Sequence, residues 1–403
     1  MKILYISSLI LKKSSSASIR NTGLIKGLLE NGIKVDIMII KYPEELEDNY
    51  LKEKLKNIKK YFCELKILNK YLKLKNKNVK NKTESILSEK LFIKLKNLMK
   101  NFIRDIYFFP DVDKEWIKEF EKLNINYKDY DLIISSSDTK TSHYIGEKIK
   151  EQYPEIPWFQ IWGDPWGNDI GLKGLRKIFA KLKEKRLLEK ANLIFYVSPF
   201  TLKEIKNRYK NLENKIKYLP RGFLEEVYKE KSEKREIIIS YTGVLNQNRN
   251  ISNFIQLIEN YNIKNIQKIK LNIYGNIDNN VLKDMKRFSC IEYFGNISFE
   301  KIKNVYRQSD YLLFVDNGKN TTQIPGKIYD YLGTNNKIIC LFREKSEIYE
   351  YFKKELGLLV YLENEIDITS ILSSPERNVD ERFSNKIIAK KLINYYMEMN
   401  KWK

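Results

Sequence analysis

Residues 2–40 read KILYISSLILKKSSSASIRNTGLIKGLLENGIKVDIMII, and this stretch decides the fold class. KILYISS is a continuous apolar run of the kind carried by a strand buried on both faces. A Ser-rich loop, residues 14–18, follows it. IRNTGLIKGLLENG has helical spacing and closes on Asn31 and Gly32, a C-cap pair. VDIMII is the next buried strand. Strand, small-residue loop, helix and strand in that order predict a parallel α/β domain.

The rhythm breaks after residue 42 and resumes at DLIISSS (131–137). Between about 43 and 120 the chain is Lys-rich with helical periodicity, as in SEKLFIKLKNLMKNFIRDIYFF, and reads as a helical insert. Beyond it come the helix TSHYIGEKIKEQY, the strand and loop PWFQIWGDPW and the basic helix KGLRKIFAKLKEKRLLEKA. The strand NLIFYVS, the helix PFTLKEIKNRY and a short strand in KIKYLPRGF close a first domain over 1–222. FLEEVYKEKSEKRE is charged and apolar-poor, which suits a linker at 223–235. A second α/β domain over 236–385 opens at EIIISYTGVLNQNRN and carries the strands KLNIYGNID, CIEYFGNIS, DYLLFVDN and NKIICLF. The helical tail, 386–403, is expected to pack back on the first domain. The expected architecture is thus α/β, two Rossmann-like domains facing a cleft, with ligands at the carboxyl ends of the strands.

Composition agrees. An apolar fraction of 42% over 403 residues is enough for two cores. Lys and Arg total 74 against 52 acids, a net charge of +22, which favours polyanions. Nucleic acid is a poor fit, because no zinc knuckle, RNA-binding signature or Arg-rich stripe accompanies the charge. A phosphorylated substrate or an anionic membrane surface fits it better. Cys63, Cys290 and Cys340 have no paired spacing, so neither a disulfide framework nor a zinc site is expected. No apolar run reaches the ~18 residues that a membrane-spanning helix needs. The expected location is the cytoplasm, at most on the inner face of the plasma membrane.

Three places carry chemistry. At the first strand–helix junction Ser15 and Ser16 stand where a Gly-rich phosphate loop would be, and Arg20 either steadies an anion or pairs with an acid. In YTGVLNQNRN, Gly243 brings the backbone close to a ligand, and Arg249 is placed to grip a diphosphate. In TTQIPGKIYDYL, Pro325 suits an early helical position, and the N–H groups of Gly326 and Lys327 then face outward. A lysine in a first turn is disfavoured by roughly 0.3–1 kcal/mol, so Lys327 asks for an anion. Asp330 shares its face; either the two form an i,i+3 surface pair, or Asp330 accepts two hydrogen bonds from a vicinal diol such as a ribose. His143 is the only histidine and reads as packed rather than catalytic. Asp164 sits between Trp162 and Trp166, an arrangement that suits either sugar stacking beside a carboxylate or a buried capping aspartate.

TGVLNQNRN, LNIYGNI, IEYFGNIS, YRQSDYLLFVDN and PGKIYDYLGTNNKII, in that order, resemble the nucleotide-sugar-binding half of GT-B glycosyltransferases of the family 4 type. PWFQIWGDPWGND and RLLEKANLIFYVSPFTLKEI resemble segments of bacterial polysaccharide-assembly members. The resemblance implies a retaining, metal-independent glycosyltransferase with no cofactor. Its donor would be a nucleotide sugar, UDP- or GDP-linked, and its acceptor a glycan or lipid-linked glycan of capsule or lipopolysaccharide. It places Arg249, Lys327, Gly243, Gly326 and Ile324 at the diphosphate, Asp330 at the ribose, Thr321, Thr322 and Gln323 in the donor-sugar loop, and Asp164 at the catalytic position. There are departures: Thr322 stands where the family's motif has its first Glu, Val244 where a basic residue is frequent, and the catalytic-loop histidine is absent. Two alternatives follow from these, a degenerate binding or scaffold protein and a sugar-nucleotide epimerase of the same fold.

Overall fold

The computed structural model describes residues 1–13, 15–66, 68, 109–169, 172, 174–230, 236–246, 249, 251–285, 287–316, 318 and 322–401. Two compact units emerge, Met1–Pro220 with Leu392–Lys403, and Arg221–Lys391. The first is built on β1 (Lys2–Ile6), β2 (Lys34–Ile40), β3 (Lys60–Cys63), β4 (Leu132–Ser137), β5 (Trp158–Trp162), β6 (Leu193–Tyr196) and β7 (Ile216–Tyr218). They form one sheet in the order β3-β2-β1-β4-β5-β6-β7, with every pair parallel. β4 and β5 are buried at every position, which is why they read as apolar or small-residue runs, broken only by Gln160, whose amide donates to Leu187 O at 2.7 Å.

The opening stretch folds as its pattern demands. Ser15 caps the helix Ser16–Glu30 by accepting from the Ser18 N–H at 3.3 Å. Asn31 ends that helix, and Gly32 follows at φ +76°. The order of the sheet reverses between β1 and β4, so the loops after these two strands flank the switch point where such sheets receive ligands.

The second unit repeats the plan with β8 (Glu236–Thr242), β9 (Lys268–Tyr274), β10 (Ile291–Gly295), β11 (Tyr311–Val315), β12 (Lys337–Phe342) and β13 (Leu359–Leu362). Their order is β10-β9-β8-β11-β12-β13, again all parallel, with the switch point between β8 and β11. The helix Asn385–Lys401 begins in this unit and from Leu392 belongs to the first. There Tyr395 and Tyr396 pack on Phe195 and Phe159, with ring centroids 5.5 and 6.4 Å apart. Among the described residues, no helix is long and apolar enough to cross a membrane.

Two expectations need correction. The insert was expected to be helical from about 43, yet Lys60–Cys63 is the edge strand β3, paired with β2. With Phe62 exposed and lysines around it, this short edge strand lacks the apolar run that betrays a central one. SEKLFIKLKNLMKNFIRDIYFF lies outside the described residues but for Phe109. The stretch 223–230 is not a free linker: Phe223, Leu224 and Val227 are buried. The Phe223 N–H donates to Phe383 O at 3.0 Å and the Val227 N–H to Gly333 O at 2.9 Å, within the second unit. Its apolar residues are few, and all three named here point inward.

Gly243 and Gly275 end β8 and β9 side by side, the Gly243 N–H donating to Tyr274 O at 2.8 Å. Gly275 has φ +124°, and a Cβ there would collide with the Gly243 carbonyl. Gly275→Ala is therefore expected to destabilise the second unit by about 2 kcal/mol or more, read as a lowered urea midpoint.

Candidate functional site

In the first unit, polar side chains gather on the loops after β1, β4 and β5. Ser15 serves as the helix cap described above, and Ser16 is the first residue of that helix. Arg20 is committed to its own unit. Its Nη2 donates to Ser137 O at 2.7 Å, to Ser136 Oγ at 3.3 Å and to Asp138 Oδ2 at 3.3 Å. The open choice between anion binding and an acid partner is thus filled by the acid. Gly163 permits this approach, since a Cβ would lie 2.6 Å from Arg20 Nη1 and 2.7 Å from Asp138 Oδ1.

Asp164 follows directly, at the end of β5, and is exposed. Its backbone oxygen accepts from Lys140 Nζ at 3.5 Å. Crowding by protein raises its carboxyl pKa, and the Lys140 charge opposes that rise. Lys140 is itself buried, with its ammonium 5.2 Å from the Trp162 ring centroid. The loop is held by Glu184, which is fully buried and accepts from the Trp166 N–H at 2.6 Å and the Gly167 N–H at 3.2 Å.

The tryptophans do not offer stacking faces. Trp162 and Trp166 are both buried: Trp162 packs on His143 at 4.2 Å and donates to Gln160 Oε1 at 2.9 Å, and Trp166 stacks on Phe109 at 5.4 Å. They belong to the core, so the sugar-stacking reading of this pair is set aside. Nor is Asp164 the buried cap that was its alternative. His143 is fully buried, with Nδ1 2.8 Å from Ser135 Oγ, and burial followed by the charges of Lys140 and Arg20 drives its pKa well down. A neutral, packed imidazole follows.

A carboxylate pair here escaped the sequence reading. Asp111-Val112-Asp113 has the Asp-x-Asp spacing, as has Asp129-Tyr130-Asp131. The Asp111 carboxylate accepts from the Thr141 N–H at 2.9 Å and the Thr141 hydroxyl at 2.7 Å, and the Asp113 N–H donates to it at 3.0 Å. Burial, then the neighbouring Asp111 charge, pushes Asp113 up to about 7. The described residues contain no group of three or more His, Cys, Asp or Glu that could hold a metal ion. The signal was the spacing itself, hidden at the edge of a Lys-rich segment.

In the second unit, the β8 turn and the helix Lys327–Leu332 meet at the switch point. Tyr331 joins them: its hydroxyl lies 2.9 Å from Thr242 Oγ1 and donates to Leu313 O at 3.3 Å, touching the end of β8 and the middle of β11. After Gly243, Arg249 folds back, its Nη1 donating to Val244 O at 3.0 Å and its backbone N–H to Asn246 O at 2.8 Å. Arg249 Nε is enclosed without a hydrogen-bond partner. Val244 itself is exposed.

Ile324, Pro325, Gly326 and Lys327 are half-buried, as are Thr322 and Gln323, while Thr321 lies outside the described residues. The helix closes its first turn through the Ile328 N–H to Pro325 O and the Tyr329 N–H to Gly326 O, both at 3.2 Å. Part of Lys327 reaches the surface, yet burial of its ammonium lowers the pKa; the Asp330 charge opposes this and the Arg221 charge adds to it. Asp330 is buried and does not make the surface pair with Lys327 that the spacing allowed. Its Oδ1 accepts from Arg221 Nη2 at 2.6 Å, and both side chains are about 95% enclosed, with 4% and 5% exposure. Arg221 is the residue the sequence reading missed. LPRGF carried only the hint of an arginine between Pro220 and Gly222.

No family model matches the chain, and no curated protein matches its sequence. Solved structures do match in fold. A sucrose-phosphate synthase from Thermosynechococcus elongatus aligns over 100% of both chains at a TM-score of 0.57 and 14% identity. The lipopolysaccharide outer core galactosyltransferase WaaB, in its apo form, aligns over 99% of each at 0.53 and 14%. A putative UDP-N-acetylglucosamine 2-epimerase from Listeria monocytogenes covers 100% of this chain and 97% of its own at 0.57 and 12%. The chain has the GT-B fold of two Rossmann-like domains, which glycosyltransferases and UDP-N-acetylglucosamine 2-epimerases share.

Asp113 is protonated when folded near pH 6 but ionised when unfolded, so its contribution to stability is full below pH ~4 and is lost as pH rises through about 7. Asp113→Asn should flatten that part of the stability profile, measured as urea midpoints between pH 4 and 8. Arg221→Met is expected to cost about 3 kcal/mol by stranding the buried Asp330 charge, and Asp330→Asn in the same background to recover part of it.

Proposed function

We propose that this protein is a retaining glycosyltransferase of the family 4 type, which takes its sugar from a nucleoside-diphosphate sugar. The observation that carries this reading is the buried charge imbalance at the start of the helix Lys327–Leu332. Asp330 is already matched by Arg221, so the Lys327 ammonium, pressed by burial and by the Arg221 charge, is left as excess positive charge. A diphosphate supplies what is missing. Arg249, half-buried, stands on the neighbouring turn, and Gly243 keeps the backbone bare for close approach. Ile324 and Gly326 contribute backbone at the same helix start, and Thr322 and Gln323 precede them as the donor-sugar loop. With Oδ1 committed to Arg221, Asp330 has its other oxygen for a ribose hydroxyl.

Ile251, Ser252, Asn253, Phe254, Leu341, Glu363 and Ile366 line a small depression near the carboxyl ends of β12 and β13, with room for about one water molecule as the side chains stand. In the first unit, Asp164 is the exposed carboxylate assigned to orienting the sugar or acceptor. In the reaction the bond from the anomeric carbon to the diphosphate oxygen breaks and a bond to the acceptor oxygen forms on the same face. The acceptor proton passes to the departing diphosphate. Arg249 and Lys327 stabilise the charge that builds there, and nothing in this scheme calls on a metal. Glycan or lipid-linked glycan is the acceptor class that the sequence resemblance favours, with a place in surface polysaccharide assembly on the cytoplasmic side.

Epimerisation of a sugar nucleotide is the second reading, favoured by the likeness to a putative UDP-N-acetylglucosamine 2-epimerase. The packed His143 weighs against it as a source of acid–base chemistry in the first unit. Calorimetric titration with UDP, GDP and their sugars tests the donor site. Arg249→Ala and Lys327→Ala should each weaken binding at least about tenfold with the fold intact. Unchanged affinity in both variants overturns the assignment. Incubation of the donor with and without a glycan acceptor then separates transfer from acceptor-independent inversion at C2.

A further inference from the structure

The helix Gly174–Lys190 of the first unit has two apolar faces. Ala180, Leu187 and Leu188 are buried, and with them Glu184, which holds the loop after β5. Leu175, Ile178, Phe179 and Leu182 recur at i, i+3, i+4 and i+7, which places them on one stripe. At 100° per residue that stripe lies on the far side of the helix from the packed one. All four are exposed, at 64%, 56%, 53% and 61%. Single exposed apolar residues need no explanation, but a contiguous stripe of four large ones does.

The charges around the stripe say what covers it. From Gly174 to Arg186 the helix carries Arg176, Lys177, Lys181, Lys183, Lys185 and Arg186, against a single acid, Glu184. That acid faces the core and is fully buried; Arg186 is drawn to Glu147 and Glu151 and Lys185 to Glu189, and with Lys181 and Lys183 beside these pairs the face keeps an excess of cations. Lysine stems can lie along an apolar surface while their ammonium groups reach past it to phosphates. A second copy of the same face is a poor occupant, because its lysines would meet these. We propose that the outer face of this helix docks in the plane of an anionic membrane surface, Leu175, Ile178, Phe179 and Leu182 entering the headgroup–acyl boundary and the flanking lysines meeting lipid phosphates. The surface is separate from the nucleotide-binding residues of the second unit, so its test is independent of the donor assignment.

The full chain is sedimented with vesicles of phosphatidylcholine mixed with phosphatidylglycerol, and with phosphatidylcholine alone, at low and high salt. Binding to the mixed vesicles that falls with salt is expected. The triple variant Ile178→Ser, Phe179→Ser, Leu182→Ser should lose at least about tenfold in partitioning at an unchanged melting temperature. Lys181→Gln, Lys183→Gln, Lys185→Gln should lose the preference for the anionic vesicles. The inference is overturned if the native chain stays in the supernatant, or if both variants partition as it does. It is equally overturned if the native chain is a dimer without lipid and the apolar variant a monomer.

Discussion

The ion pair between Arg221 and Asp330 is the constraint on which the second unit's site depends. It joins the first residue of that unit to the helix Lys327–Leu332, 109 positions along the chain, across a contact of 2.6 Å. Burying two charges is costly and the attraction between them offsets that cost only when the geometry is good, so such a pair fixes arrangement more than it adds stability. Here it fixes which way Asp330 turns, and thereby leaves Lys327 without a full partner. Arg377 secures the other end of the helix, with Nη1 donating to Thr334 O at 2.7 Å and Nη2 to Leu332 O at 3.3 Å, where a cation complements the last carbonyls. Held at both ends and tied by Tyr331 to β8 and β11, a helix of only six residues becomes a rigid mount for one lysine.

Much of this was legible because parallel sheets announce themselves locally. β1, β4, β8, β11 and β12 are apolar runs bounded by loops, and the helices between them carry their own caps at Ser15, Ser198 and Ser298. Gly243, Arg249, Lys327 and Asp330 were visible for a related reason: each stands just beyond a strand or at a helix start, where residue type is tightly constrained. What stayed hidden depends on distance along the chain. Arg221 was unremarkable until the fold brought Asp330 to it. Asp111 and Asp113 looked like the margin of a basic helical segment, although the fold holds Asp111 on Thr141 and the Asp113 N–H and buries Asp113 beside it. The strand β3 is four residues long on an edge, too short for period-2 reading to separate it from its lysines.

The tryptophans teach a different lesson. Trp162 and Trp166 flank Asp164 in sequence, and an aromatic beside a carboxylate suggests a sugar platform. In a strand, neighbouring side chains leave by opposite faces, and in the loop after it they leave wherever packing allows. Trp162 goes into the core against His143 and Tyr196, Trp166 goes to Phe109, and Asp164 alone reaches solvent. Adjacency in sequence therefore reported a well-packed loop base rather than a binding surface. The glycine before Asp164 has its own local reason, the room that Arg20 and Asp138 need.

The net charge of +22 also divides once the fold is known. Several buried or half-buried cations have assigned anions or dipoles: Arg20 has Asp138 and Ser137 O, Arg221 has Asp330, and Lys140 has the Asp164 carbonyl and the Trp162 ring. These serve the architecture and say little about partners. Lys327 differs because the acid on its own helix face is already engaged, while Arg249 folds over the Val244 carbonyl. The outward cations of the helix Gly174–Lys190 differ again: Lys185, Arg186 and Lys190 meet acids, while Lys181 and Lys183 border exposed apolar side chains. The basic composition thus separates by environment. Some of the charge is consumed within the fold, some is concentrated at a single helix start, and some is laid along an uncovered apolar stripe. Only the last two populations call for something outside the chain, and they call for different chemistries, a compact diphosphate in one case and an extended phosphate surface in the other.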